Sequence, residues 1–312
     1  MTDNISTAPA PSLLRAWLES LRLRTLPLAC ASVITGSALA WQQGSFDLSV
    51  ALLTLLTTAL LQILSNLAND YGDAVKGSDT PERLGPLRGM QKGLITQKQM
   101  RLALILTVAL TLIAGVALVV RACQDVSDML GFLVLGALAV VAAIAYTVGK
   151  KPYGYLGLGD ISVLVFFGWL GVVGTFYLQT HSLQWLPFLP ATGCGLLAVA
   201  VLNANNMRDI DSDRQNGKFT VAVRLGPCNS RYYHAMLLSG SLFSFALFAK
   251  LAALTAPGWL FLLSAPILFG QARFAIAHPS AAAMRPLLEK TVKAALLVNL
   301  LFAAGLIAIS LT

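Results

Sequence analysis

The sequence predicts an all-α integral membrane protein, with about nine transmembrane helices around a central cavity. Composition, long apolar runs and a one-sided distribution of basic residues support this class. Of the 312 residues, 56% are hydrophobic and only 12% are charged, and the mean hydropathy is +0.72. Soluble domains carry about 25% charged residues. The composition therefore excludes an ordinary soluble domain, and its apolar content also excludes intrinsic disorder.

Nine apolar runs are each close to the length of about 20 residues that a membrane-spanning helix needs. They are continuous and rich in Leu and Ala, whereas the strands of a membrane β-barrel alternate apolar and polar residues. We therefore interpret each run as one helix. The runs are residues 26–42, 48–69, 101–121, 129–149, 160–180, 186–207, 232–251, 257–277 and 291–311.

The distribution of basic residues predicts the orientation of the chain in the membrane. With the N-terminus inside the cell, 20 of the 22 Lys and Arg residues lie on the cytoplasmic side, and only Arg121 and Lys250 lie outside. This asymmetry is typical of bacterial membrane proteins. We predict a cytoplasmic N-terminal segment, residues 1–25, that contains a short amphipathic helix on the inner membrane surface. Residues 26–312 are expected to form one transmembrane domain with a periplasmic C-terminus.

Two polar segments at the inner ends of apolar runs repeat one pattern. Asn69 and Asp73 are four residues apart, and Asn205 and Asp209 repeat this spacing 136 residues later. Each pair lies on one face of a helix, because residues four apart are neighbours on a helix surface. Four crossings separate the two helices and restore their orientation. The pattern therefore predicts a parallel internal repeat of about four helices.

The repeated acidic motifs favour a magnesium site rather than two solvated loops. Clustered carboxylates repel one another unless a cation bridges them, and ligands that are all oxygen suit Mg²⁺, Mn²⁺ or Ca²⁺ better than zinc. Mg²⁺ commonly binds through one or two carboxylates together with substrate phosphates. Basic residues near the motifs suit such phosphates. They are Lys76, Arg88, Lys92, Arg208, Arg214 and Lys218.

At these residues the chain resembles the intramembrane aromatic prenyltransferase superfamily, whose members share two Asp-rich motifs. It is most similar to the branch that prenylates 1,4-dihydroxy-2-naphthoate in menaquinone biosynthesis. The first motif is Asn69, Asp73, Gly77 and Asp79, and the second is Asp209 with Asp213. Further similar stretches are residues 24–27, 85–93, 151–159 and 217–226, together with the pair Tyr146 and Lys150.

The resemblance implies roles for individual residues. Metal ligands are expected at Asp73, Asp79, Asp209 and Asp213. Catalytic roles are expected for Asp73, Asp209, Lys150 and Tyr146. Substrate binding is expected at Asn69, Asn205, Lys76, Arg24, Arg88, Gln91, Lys92, Arg208 and Lys218.

The resemblance also implies a reaction. A polyprenyl group passes from an all-trans polyprenyl diphosphate to 1,4-dihydroxy-2-naphthoate, with release of diphosphate and CO₂ and formation of a demethylmenaquinol. Mg²⁺ or Mn²⁺ would be the cofactor, and membrane lipid would surround the enzyme in the bacterial inner membrane. No nucleic-acid partner is expected, since the basic excess faces anionic lipid.

Three alternatives remain at this point. A sister enzyme could use 4-hydroxybenzoate or another aromatic acceptor, and the Gly77 to Asp79 spacing argues for the naphthoate branch. A secondary transporter also uses internal repeats and intramembrane acids, but here the acids gather at one membrane face. A non-catalytic lipid-binding protein would leave the paired Asp motifs without a purpose.

Overall fold

The computed structural model describes residues 12–77, 88–278 and 280–311, and these residues form helices and connecting loops without any β-strand. We number eleven α-helices in chain order. They are α1 Leu13–Leu21, α2 Leu26–Gln42, α3 Leu48–Lys76, α4 Gln97–Ala122, α5 Val126–Ala145, α6 Gly159–Thr180, α7 Phe188–Arg208, α8 Ile210–Gln215, α9 Val221–Leu251, α10 Ala256–Ala277 and α11 Ala281–Ser310.

The described helices confirm the all-α membrane class. Eight of them are long and apolar enough to cross a membrane, and α2 belongs to a ninth span when it is joined to α1 across a 40° bend. Several helices continue beyond their apolar runs at one end: α3 extends to Lys76, and α11 begins at Ala281. Hydropathy marks only the hydrocarbon crossing, whereas backbone hydrogen bonding continues into the polar boundary.

The short helix α1 forms where an amphipathic helix was predicted. Its first turn is capped by Ser12, whose hydroxyl accepts a hydrogen bond from the backbone of Arg15 at 3.3 Å. Ala16 is buried against Leu67 of α3, while Leu14 stays 70% exposed. One face of α1 thus rests on α3, and the opposite face carries apolar side chains directed away from the bundle.

Helix α7 lies at the centre of one half of the bundle, where it packs against α6, α9 and α11. Glycines permit its close approach to α6: a Cβ atom on Gly168 would lie 2.6 Å from the carbonyl oxygen of Ala191. Across the bundle, the Thr35 hydroxyl donates to the Asn299 side chain at 2.7 Å and joins α2 to α11. This packing fixes the position of the polar end of α7 relative to the neighbouring helices.

The polar end of α3 is held against the end of α5. A Cβ atom on Gly72 would lie 2.7 Å from the carbonyl oxygen of Thr147, so only glycine allows this contact. The Thr147 hydroxyl donates to the Asn69 side chain and to the carbonyl oxygen of Ala68, each at 3.0 Å. The first repeated motif is therefore positioned by backbone contact as well as by its own charges.

The distribution of basic residues and a count of nine spans together predict opposite locations for the two termini. We expect topology reporters fused after Gln43, Lys92 and Thr312 to report periplasm, cytoplasm and periplasm respectively. Paired alkaline phosphatase and green fluorescent protein fusions at each site provide the measurement. A cytoplasmic reporter signal at Thr312 would contradict nine spans.

Candidate active site

The first motif occupies the last turns of α3 and is buried in a network of charges. Asp73 is 5% exposed and Asp70 is fully buried. The Arg88 guanidinium lies 2.7 Å from an oxygen of Asp73 and 3.2 Å from one of Asp70, and Arg22 lies 2.7 Å from Asp70. Two carboxylates are thus compensated by two guanidinium groups that come from elements before and after α3.

This compensation is required by the surroundings. A buried carboxylate without a partner is strongly disfavoured, and removing one member of a buried ion pair typically costs about 3–5 kcal/mol. Arg88 is itself only 9% exposed. Its two carboxylate contacts hold the segment that contains Arg88 against the end of α3.

The second motif lies where α7 meets α8. Arg208 donates from Nε to Asp209 at 2.8 Å and from Nη2 to the Asn205 side chain at 2.9 Å. Lys218, in the loop after α8, lies 3.4 Å from Asp213. One arginine, Arg208, therefore contacts both the Asn and the Asp of this motif. Arg88 does the same in the first motif: it donates to the backbone carbonyl oxygen of Asn69 and to the carboxylate of Asp73.

Tyr155 joins the two motifs. Its hydroxyl donates to Asp73 at 2.8 Å, and its carbonyl oxygen accepts from the backbone of Phe219 at 2.9 Å. The Nζ atoms of Lys76 and Lys218 lie 4.5 Å and 5.8 Å from the centre of its ring. Because cations are attracted to aromatic faces, one tyrosine brings a lysine from each half of the repeat together.

Tyr146 lies beside this centre, at the end of α5. Its ring packs edge-on against Tyr153, with the ring centres 5.3 Å apart. Burial, followed by the neighbouring carboxylates of Asp160, Asp73 and Asp213, raises the pKa of Tyr146. A tyrosine phenol already keeps its proton near pH 7, and this raised pKa favours the neutral form further. Lys150, predicted to act with it, lies in the exposed loop that follows.

The remaining predicted residues divide into two groups. Gln91 accepts a hydrogen bond from the backbone of Arg88 at 3.3 Å, and Lys92 forms an ion pair with Glu19 of α1. That ion pair lowers the pKa of Glu19 and fastens the loop to α1. Asp79 and the side chain of Arg24 lie outside the described residues.

The two motifs carry the kinds of donor atom that suit a hard divalent cation. They are carboxylate oxygens of Asp73, Asp209 and Asp213 and amide oxygens of Asn69 and Asn205, the ligand types that Mg²⁺ prefers. The Oδ2 atom of Asp70 is buried and makes no hydrogen bond within the described part of the chain. In those same ranges no three acidic, His or Cys side chains are grouped closely enough to hold a metal.

Sequence reasoning missed Tyr155, Asp70 and Arg22. Tyr155 lies within the stretch 151–159, and an aromatic residue in a glycine-containing inner loop is the one sequence signal that points to it. Gly157, with φ of +82°, lies against Phe219, since a Cβ there would be 2.8 Å from the Phe219 carbonyl oxygen. The pairing of Arg22 with Asp70 spans 48 residues and left no local pattern.

The chain is similar over most of its length to two bacterial proteins that share one name. The chain is 64% identical to a 1,4-dihydroxy-2-naphthoate octaprenyltransferase of Escherichia coli strain K12, over 94% of this chain and 95% of that protein. It is 52% identical to a protein of the same name from Haemophilus influenzae strain Rd, over 94% and 96%.

Solved structures show the same fold at low identity. A UbiA homolog from Aeropyrum pernix K1 matches with a TM-score of 0.66 and 16% identity, over 93% of this chain and 97% of that one. A UbiA homolog from Archaeoglobus fulgidus bound to GPP and Mg²⁺ matches with a TM-score of 0.53 and 17% identity, over 94% and 99%. The UbiA prenyltransferase family itself matches residues 29–297. This multi-pass membrane chain therefore belongs to the UbiA prenyltransferase family.

Proposed function

We propose that the protein transfers a polyprenyl group from an all-trans polyprenyl diphosphate to 1,4-dihydroxy-2-naphthoate, with release of diphosphate and CO₂. The observation that carries this proposal is that Tyr155 contacts Asp73 of the first motif and also Lys218, which pairs with Asp213 of the second motif, at one end of an apolar bundle. The acceptor is inferred from the E. coli relative, which is 64% identical and named for this substrate. The donor in that relative's name is octaprenyl.

The proposed metal ligands are Asp73, Asp79, Asp209 and Asp213, supported by Asn69 and Asn205. The Archaeoglobus fulgidus homolog was solved with GPP and Mg²⁺, and the oxygen donors described above suit the same ion. When bound, Mg²⁺ would neutralise charge on the leaving diphosphate.

Several basic residues are proposed to bind the diphosphate, each at a different part of the site. Lys76 and Lys218, which approach the Tyr155 ring, are proposed to bind phosphate oxygens. Arg88 and Arg208 are proposed to exchange part of their carboxylate contacts for phosphate contacts, since guanidinium groups bind both anions. Arg24, Gln91 and Lys92 extend the proposed substrate site on the side of α1.

Charge development explains why these groups are needed. As the bond from the allylic carbon to oxygen breaks, negative charge grows on the diphosphate, and fixed cations stabilise that charge. The allylic carbon becomes carbocation-like and is attacked by the electron-rich naphthoate ring. The neutral phenol of Tyr146 and the lysines, including Lys150, are proposed to contact the leaving group. The apolar helices exclude water that would otherwise capture the cation.

Loss of CO₂ completes the proposed reaction without removal of a ring proton. Attack at the carboxyl-bearing carbon interrupts aromaticity, and breaking the bond to the carboxylate returns its electron pair to the ring. The acceptor must therefore be bound as its carboxylate. We propose that the Arg88 to Lys92 loop orients it, in the bacterial inner membrane with the site facing the cytoplasm.

The metal hypothesis predicts a strong effect of charge removal. Asp73→Asn and Asp209→Asn should each lower turnover about 10²–10³-fold, because a charge-stabilising group is lost. Asp211→Asn is the matched control, since Asp211 is exposed and is not a proposed ligand. Turnover is measured as diphosphate release by purified protein, and EDTA should abolish it until Mg²⁺ is added. Near-normal turnover of both variants would exclude this site.

Tyr155→Phe tests the link between the motifs. The variant keeps the ring beside Lys76 and Lys218 but loses the hydrogen bond to Asp73, which should lower kcat/KM about 10- to 100-fold, since hydrogen bonds to charged groups contribute about 1.5–3 kcal/mol. Tyr71→Phe is the control, because the Tyr71 hydroxyl instead accepts from Arg101 outside the site. Equal kcat/KM in the two variants would show that the hydroxyl of Tyr155 has no special role.

Carboxyl-labelled 1,4-dihydroxy-2-naphthoate tests the acceptor. With an all-trans polyprenyl diphosphate, one labelled CO₂ should be released for each prenylated product, as measured by gas trapping and product chromatography. The same assay with 4-hydroxybenzoate is the comparison. Label retained on the product, or prenylation of 4-hydroxybenzoate alone, would refute the acceptor while leaving the prenyl transfer intact.

A further inference from the structure

A groove between α10 and α11 lies outside the proposed active site. It has a volume of about 410 Å³ and combines an apolar wall with two lysines. Ile267, Gly270 and Leu297 contribute to the apolar wall, and Lys290 and Lys293 also line the groove. Both lysines and Gly270 are exposed. The groove lies between two helices that are each apolar enough to cross a membrane, so lipid can reach it.

The lysines lie near one boundary of the membrane. Seventeen residues separate Lys293 from Ser310 at the other end of α11, which is about 25 Å of helix at 1.5 Å per residue. Lys290 lies one turn closer to the start of α11, and its Nζ is 5.0 Å from the centre of the Phe274 ring. The charged part of the groove is thus near the headgroups, and the apolar part extends towards the hydrocarbon.

The same groove is close to the second Asp motif but separated from it. Leu287 lines the groove and also packs in a buried cluster with Met207, the residue before Arg208. The lysines therefore lie at the same end of the bundle as the Asp motifs. The buried cluster containing Leu287 stands between them, so a diphosphate held by Lys290 and Lys293 would be outside the proposed reaction centre.

We propose that this groove binds an anionic phospholipid from the surrounding membrane, with an acyl chain along Ile267, Gly270 and Leu297 and its phosphate against Lys290 and Lys293. The charge complementarity favours an anionic lipid over a neutral one, since basic pockets between transmembrane helices recognise anionic headgroups. The apolar wall beside the lysines favours a lipid over a free phosphate, which has no apolar part. This proposal does not depend on which prenyl donor or which aromatic acceptor the protein uses.

The first test compares lipid retention by charge variants. The full-length protein is purified with mixed phosphatidylglycerol and phosphatidylcholine, and bound lipids are counted by native mass spectrometry. Lys290→Gln with Lys293→Gln should weaken phosphatidylglycerol binding about thirtyfold, or about fivefold for each lysine, as expected for basic residues near a membrane surface. Lys98→Gln with Lys250→Gln changes the net charge equally at exposed lysines elsewhere and should retain the lipid.

The second test fills the apolar wall and leaves the charge unchanged. A Cβ on Gly270 would meet no atom within 4 Å, so Gly270→Leu can place its side chain in the groove without a clash. This variant should bind less phosphatidylglycerol than the unchanged protein does. Gly131→Leu on α5 is the matched control, because the space at Gly131 is equally open.

The outcomes separate the possible occupants. Loss of phosphatidylglycerol in both groove variants, with retention in both controls, supports the lipid site. Equal retention by groove and control variants overturns it. Displacement of the bound lipid by inorganic diphosphate or polyprenyl diphosphate at substrate concentrations also overturns it, because the groove would then be a substrate site. Melting temperatures close to that of the unchanged protein show that the variants are folded.

Discussion

The structure of the candidate site depends on pairing arginine side chains with the carboxylates that the fold buries at one end of the bundle. Asp70, Asp73 and Asp209 are each at most 5% exposed, and buried charges are tolerated only with partners. Arg22 and Arg88 provide partners for the first two, and their contacts fasten the end of α1 and the segment that contains Arg88 to α3. The charge balance of the site therefore also determines how its covering elements are attached.

The two halves of the repeat reach similar charge balance by different routes. Arg208 immediately precedes Asp209, whereas Arg88 follows Asp73 by 15 residues and returns to it through tertiary packing. Tyr155 then connects the halves, because it contacts Asp73 through its hydroxyl and the two lysines through its ring. The two repeated motifs are thus connected asymmetrically, through a tyrosine that contacts a carboxylate of the first motif and lysines from both halves.

The apolar bundle has a chemical role beyond membrane insertion. Close packing of α6 against α7 through Gly168 and Gly195 excludes water from between these two helices. Electrostatic interactions strengthen as water is excluded. Tight packing therefore makes an unpaired buried carboxylate destabilising, and it also strengthens the attraction between a carboxylate and its cationic partner. Helices α10 and α11 instead leave a groove on the lipid side, where acyl chains can replace missing protein contacts.

Some features of this protein were determined by the sequence alone. Apolar content and run length identify membrane helices because transfer of backbone into lipid requires internal hydrogen bonding, and the spacing of Asn and Asp identifies a helical face from local geometry alone. Tertiary structure decided what no spacing could reveal: that Arg88 contacts both Asp70 and Asp73, that Lys92 pairs with Glu19, and that Tyr155 joins the two motifs. These contacts link residues brought together only by helix packing, and each depends on the position and rotation of a neighbouring element, which local patterns do not encode.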